Sequence, residues 1–253
     1  MKWKLNIRRE VTVVAVVLGV SFLIAFSERK QDGLICKDII IELDNVHENH
    51  FLDEADVLRM LEGTQSVKGM AFDRMNLRTI ESKLKQDRHI SEAELYSDLK
   101  GNLVVNIELR RPVARIIQPD APDAYIAEDG VVMPVSDKYT SRVVLISGPY
   151  SKRLVEMGDL RKHPEGEKLL TMIRFINKNK FWRAQVAQLD INSLGKVTLL
   201  PQVTGQRVEF GKAEDIEHKF SKLMIFYKEI LPQRGWTRYD RVNLEYEDQI
   251  IAE

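Results

Sequence analysis

Residues 90–114 read ISEAELYSDLKGNLVVNIELRRPVA. In the second half of this stretch Leu103, Val105, Ile107 and Leu109 alternate with Val104, Asn106 and Glu108. Successive strand side chains point to opposite faces, so the alternation predicts a strand with one face buried. Ile90–Tyr96 precedes it across Asp98-Leu99-Lys100-Gly101-Asn102, which completes a hairpin. Upstream, Ile39–Leu43 (IIIEL) is a short apolar run bounded by Asp44-Asn45 and predicts a third strand. Between these lie two helical patterns. The first has Asp53 as N-cap, Asp56 three residues on, Val57, Leu58 and Leu61 at helical spacing, and Gly63 as its stop. The second runs from Leu77 to about Lys85, with Asn76 as cap and Leu77, Ile80 and Leu84 on one face. The order β-α-α-β-β makes a complete two-layer domain.

Downstream, Pro112 marks the exit and residues 118–124 (QPDAPDA) form a connector or surface loop. Tyr125–Met133 holds a hairpin signal at Glu128-Asp129-Gly130, and Arg142–Ser147 is a strand stopped by Gly148-Pro149. A helix starts at Pro164 with an apolar stripe of Leu169, Leu170, Ile173 and Ile176. Strands follow at Val186–Ile191, Val197–Leu200 and Arg207–Phe210. A helix over about Glu214–Ile230 ends before Pro232, and a last strand covers about Arg238–Tyr246, with Gln249-Ile250-Ile251 as its continuation. The expected class is α+β, with a mixed β-sheet domain and flanking helices after the first domain.

Val11–Phe26 (VTVVAVVLGVSFLIAF) carries no charge. At ~1.5 Å per residue it crosses most of a ~30 Å hydrocarbon core. Lys2, Lys4, Arg8 and Arg9 precede it, so the positive-inside rule keeps the N-terminus in the cytoplasm and sends the bulk outside. The expected organisation is a cytoplasmic tail (1–10), a transmembrane helix (11–27), a linker (28–37), a first domain (38–114) and a β domain (115–253). A rival reading is a cleaved signal peptide, with Ala25 and Ser27 at the small-residue positions. A buried core helix fits the basic flank poorly. Lipid attachment at Cys36 is excluded by Ile35 and by its distance from the apolar run, so Cys36 is read as inert.

Lys plus Arg equal Asp plus Glu at 38 each, which removes the electrostatic reason to expect nucleic acid. The single cysteine excludes an intrachain disulfide. His47 and His50 have His-x-x-His spacing without a further ligand close by in sequence, and are read as a solvated loop; His89, His163 and His218 are scattered. The acid pairs Glu54/Asp56 and Glu214/Asp215 suit the first turns of helices. Arg110-Arg111 is read as a solvated strand end, and Trp182 and Trp236 as core or rim residues. No nucleophile or phosphate-loop pattern occurs, so no catalytic residue, cofactor, metal or small-molecule substrate is expected.

A basic tail, one span and β-α-α-β-β closing on Glu108-Leu109-Arg110-Arg111-Pro112-Val113-Ala114 resembles the FtsQ/DivIB family of bacterial cell-division proteins. Tyr125–Val132, Val143–Pro149, Val208-Glu209-Phe210-Gly211 and Val242-Asn243-Leu244-Glu245-Tyr246 resemble further family segments in order. Asn243 and Glu245 depart from it, standing where the family commonly has an acid and a base, which puts an inherited partner salt bridge in doubt.

The resemblance implies a POTRA domain over the first module and a single-pass inner-membrane protein with its bulk in the periplasm, at the division septum. It implies a scaffold without catalysis whose last strand receives an FtsB-like partner by strand addition, with an FtsL-like protein joining through that partner. Other division proteins would dock on the POTRA domain. The partner edge carried over is Tyr246, Glu247, Asp248, Gln249, Ile250 and Ile251, with Tyr246 as aromatic anchor or as a lid on the core. Rival classes are a POTRA-bearing secretion or outer-membrane assembly component, against which the many alternating segments of a barrel are lacking, and an anchored periplasmic enzyme.

Overall fold

A computed structural model describes residues 16–20, 34–44, 50–63, 67–247 and 249–253. Residues 16–20 are helical and exposed. The rest of the expected span over 11–27, the tail 1–10, most of the linker and His47 lie outside the described residues. No helix among the described residues is long and apolar enough to cross a membrane. The chain divides into two compact units: one holds the residues up to Glu42, 54–85 and 93–107, the other 43–53, 86–92 and 108–253.

The first unit is built on a three-stranded sheet in the order β1-β3-β2, with β1 Ile39–Asp44, β2 Ile90–Ser97 and β3 Leu103–Leu109. Leu103, Val105 and Ile107 are buried on the central strand. Helices α1 (Glu54–Glu62) and α2 (Leu77–Leu84) bury Val57, Leu61, Ile80 and Leu84. Asn76 caps α2 by accepting the Thr79 amide at 3.1 Å, which satisfies an N–H the helix cannot. The Cys36 thiol is buried and its pKa is pushed up by desolvation, which keeps it protonated and a poor nucleophile.

The second unit carries a nine-stranded mixed sheet in the order β12-β11-β10-β9-β8-β7-β4-β5-β6. The strands are β4 Pro112–Ile116, β5 Ala124–Ala127, β6 Val132–Pro134, β7 Val144–Ser147, β8 Val186–Ile191, β9 Val197–Pro201, β10 Arg207–Gly211, β11 Arg241–Asn243 and β12 Ile251–Ala252. Residues 112–114, read from the sequence with the first module, therefore pair in the larger sheet. Parallel pairing joins β4 to β7, β7 to β8 and β10 to β11. Period-two alternation sends Ala114, Ile116, Ile146, Leu189, Leu199, Phe210 and Val242 to one face, all of them buried in one core cluster.

Helices close that cluster: α3 Ser151–Met157, α4 Pro164–Lys178, α5 Lys180–Gln185 and α6 Ile216–Ile225. Phe220 on α6 lies at its centre, with ring centroids 4.9 Å from Phe175, 4.9 Å from Trp182 and 5.1 Å from Phe210. On the other face a smaller cluster of Tyr125, Ala127, Met133 and Phe51 covers the β5–β6 end.

Two further sequence expectations change. The helix expected to stop before Pro232 continues: a π turn over Phe226–Ile230 follows α6, and Pro232 lies in the first turn of α7, Leu231–Arg234. The wider turn interrupts the regular ladder, so α7 starts afresh where a missing N–H costs nothing. The last strand, expected over 238–246, is only Arg241–Asn243. The Glu245 amide donates to the Asn243 side-chain oxygen at 2.8 Å, an Asx-type contact that competes with the ladder and starts a reversal. The chain then returns antiparallel as β12, pairing Val242 with Ala252 and Asn243 with Ile251.

Candidate functional site

A sheet end with unpaired N–H and C=O groups is a device that can accept another chain through its backbone. The two ends of the nine-stranded sheet differ. At the β6 end the ladder is closed. The Val132 amide donates to Gly158 O at 2.9 Å, Arg88 Nη1 donates to Val132 O at 3.0 Å, and His89 Nε2 stands 3.0 Å from Pro134 O. Pro134 has no N–H to offer. Arg88 and His89 belong to residues 86–92, part of this same unit.

At the other end β11 is paired on both flanks, by β10 and by β12, so it is not the edge. The edge is β12, two residues long. Arg241 and Glu253 exchange both backbone hydrogen bonds, at 3.1 and 2.9 Å. In an antiparallel ladder such pairs alternate with pairs that exchange none, so Ala252 turns its N–H and C=O away from β11 toward the open side. The Arg241 guanidinium reinforces this closure with Nη2 donating to Glu253 Oε2 at 2.7 Å.

The six residues expected to meet a partner do not form one strand. Tyr246 and Glu247 stand in the reversal, and Tyr246 is 53% exposed. Asp248 lies outside the described residues. Gln249 is exposed, Ile250 is half-buried against the core, and Ile251 lies in the edge strand. The described ones, Tyr246, Glu247, Gln249, Ile250 and Ile251, nevertheless lie along one corner of the sheet, contiguous with the open ladder.

That corner is held by a residue the sequence did not single out. Lys222 on α6 donates its ammonium to the carbonyls of Leu244 (3.3 Å), Glu247 (3.0 Å) and Gln249 (3.4 Å), and to that of Tyr246. His218, one helical turn earlier, places Nε2 at 2.9 Å from Glu247 O. The i,i+4 spacing of His218 and Lys222 is the sequence signal for two donors on one helix face. Beside them a depression of about 440 Å3 is lined by Asp215, Lys219, Leu244 and Tyr246 among others. Lys219 is buried with its ammonium over the Phe210 ring at 4.8 Å, and desolvation pulls its pKa down.

Asn243 and Glu245, the two departures from the family pattern, are engaged within the chain. Asn243 Nδ2 donates to Glu209 Oε2 at 2.8 Å, and Glu245 pairs with Lys196 at 2.8 Å. The corner thus presents backbone and one exposed aromatic ring.

Lys222→Met removes the shared donor and leaves those carbonyls to water. Loss of charge-assisted hydrogen bonds of this kind is expected to cost roughly 1–2 kcal/mol of local order. Amide exchange over residues 249–253 should quicken about tenfold or more while the β8 and β9 amides keep their protection. Unchanged exchange over 249–253 would show that the lysine does not hold the turn.

Among the described residues no group of three or more His, Cys, Asp or Glu is placed to hold a metal ion. Trp182 is buried in the core and Trp236 is exposed.

No curated protein shows significant similarity to the chain. Residues 34–108 match the family model for a POTRA-like domain. Residues 111–253, more than half of the chain and all of the nine-stranded sheet, match the model described as FtsQ/DivIB, C-terminal related, and on this match the chain belongs to the FtsQ/DivIB family of bacterial cell-division proteins.

Proposed function

We propose that this protein is a non-enzymatic scaffold of the septal division machinery, anchored in the inner membrane by residues 11–27 with its bulk in the periplasm. Its C-terminal sheet edge takes up a strand from an FtsB-like bitopic protein, and an FtsL-like protein joins through that partner. The POTRA-like domain gives other division proteins a second place to dock. The single observation that carries this reading is the asymmetry of the sheet: the β6 end is closed by Gly158, Arg88 and His89, whereas the β12 end turns the Ala252 amide and carbonyl outward beside the exposed Tyr246 ring. Exposed aromatic rings next to a pairing edge are the residues that anchor interfaces.

The test is titration of the full chain, in detergent, with the periplasmic segment of an FtsB-like protein. Tyr246→Ala is expected to weaken binding by ~2 kcal/mol, about thirtyfold, with the thermal midpoint unchanged. A wild-type affinity in that variant would remove Tyr246 from the interface and leave it as a lid over the Lys222 turn.

A further inference from the structure

The nine-stranded sheet carries a second feature, distant in strand order from β12. The parallel strands β4, β7 and β8 begin side by side, and where they begin lies a groove of about 870 Å3. Its floor is aliphatic. Leu145 and Ala187 are half-buried there, because alternation sends Ile146 and Val186 to the core on the opposite face, and half-buried Val113 packs beside them against that core. Its walls are basic: Arg111, Arg115, Arg142 and Arg183 line it, against one carboxylate, Glu128.

The arginines are not equivalent. Arg115 is already engaged, with Nη2 2.8 Å from Asp123 and its guanidinium over the Tyr125 ring at 5.6 Å. Arg142 and Arg183 are exposed and have no carboxylate partner among the described residues. They lie on the segments entering β7 and β8, strands in register at Leu145 and Gln188. Two uncompensated guanidinium groups therefore flank an apolar strip on neighbouring chain segments.

We infer that this groove is a docking surface for an extended acidic segment of a partner protein, one that alternates carboxylate and aliphatic side chains. The charge fixes the sign of the occupant, since guanidinium groups pair with carboxylates in fixed two-pronged geometry. The aliphatic floor fixes its class. An apolar centre with a polar rim is the anatomy of a protein interface. Single-stranded nucleic acids stack their bases on aromatic rings, and the lining residues include none. A segment with side chains alternating up and down would place carboxylates on the arginines and aliphatic groups on the floor with the same period of two. This surface is separate from the C-terminal edge and does not depend on strand addition there.

Fluorescence anisotropy of a labelled (Glu-Val)4 peptide against the full chain tests the assignment, with (Lys-Val)4 as counterpart. The acidic peptide is expected to bind and the basic one not, with affinity falling as salt is raised. Arg142→Glu with Arg183→Glu is expected to lower the affinity at least tenfold without moving the thermal midpoint, since both side chains are exposed. The milder pair Arg142→Gln and Arg183→Gln gives a smaller loss in the same direction. Equal binding of the two peptides, or wild-type affinity in the charge-reversed chain, would overturn the proposal. A sulfated oligosaccharide that binds as tightly as (Glu-Val)4 would overturn it too, because the groove would then read charge alone.

Discussion

Ala252→Pro is expected to abolish strand addition at the C-terminal edge while the sheet stays folded. The parity of the β11–β12 ladder makes this a clean experiment. Glu253 donates to Arg241 O at 2.9 Å, so its amide faces inward, and the amide of Ala252 faces outward. Proline at 252 removes the outward donor and puts its ring where an incoming strand would lie, but it breaks no bond to β11. Affinity for an FtsB-like segment should fall by more than about 3 kcal/mol, over a hundredfold. Ala252→Gly, which keeps the N–H, should bind close to wild type. The proline test is cleaner at 252 than at 250, because Ile250 also packs against the core and its loss would mix stability with recognition. A proline variant that binds within threefold of wild type would mean that recognition at this corner runs through side chains.

Phe220→Ala should have the largest effect on stability. The ring is 1% exposed and meets Phe175, Trp182 and Phe210 at centroid distances near 5 Å. It joins three elements, α4, α5 and β10, to α6. Removing it deletes the transfer gain and leaves a hole whose rigid aromatic walls close poorly, at a cost of about 3–5 kcal/mol. Chemical denaturation of the full chain should show a lower midpoint for the transition of the second unit. Phe220→Leu, which refills part of the volume, should recover part of the loss. Equal midpoints for wild type and Phe220→Ala would mean that the cluster collapses around the gap. The same substitution should also loosen the C-terminal corner, because Phe220 and Lys222 ride on one helix.

Most of the fold was legible because it is written in period and punctuation. The 103–109 alternation, the Asn76 cap, Pro164 at a helix start and the turn at Asp129-Gly130 each declare an element with local chemistry alone. Gly130 adopts φ +90, a conformation few other residues tolerate. The short helices α3 and α5 were missed because they have too few turns to show a stripe. The Asn179 side chain that caps α5, accepting from Phe181 and Trp182 at 2.9 and 3.3 Å, was a faint signal for it. The C-terminal corner was half legible. Tyr246 and the residues after it could be carried over by resemblance, but the reversal after Asn243 rests on a side chain competing for one amide, and no periodicity announces that. Nor does local sequence reveal that Lys222, more than twenty positions away, gathers the carbonyls of the turn.

The brevity of β12 has a further consequence. A long flat border would be as attractive to a second copy of this chain as to a foreign strand, and homotypic pairing is how such borders seed fibrils. With a single outward amide at Ala252, two copies meeting there gain too little to repay the ordering of both. The proposed function therefore requires an incoming segment that brings its own preformed geometry and a pocket for the Tyr246 ring. On the proposed function, the two-residue border would select incoming segments by how much order they carry in, and would give two copies of this chain little to gain by pairing there.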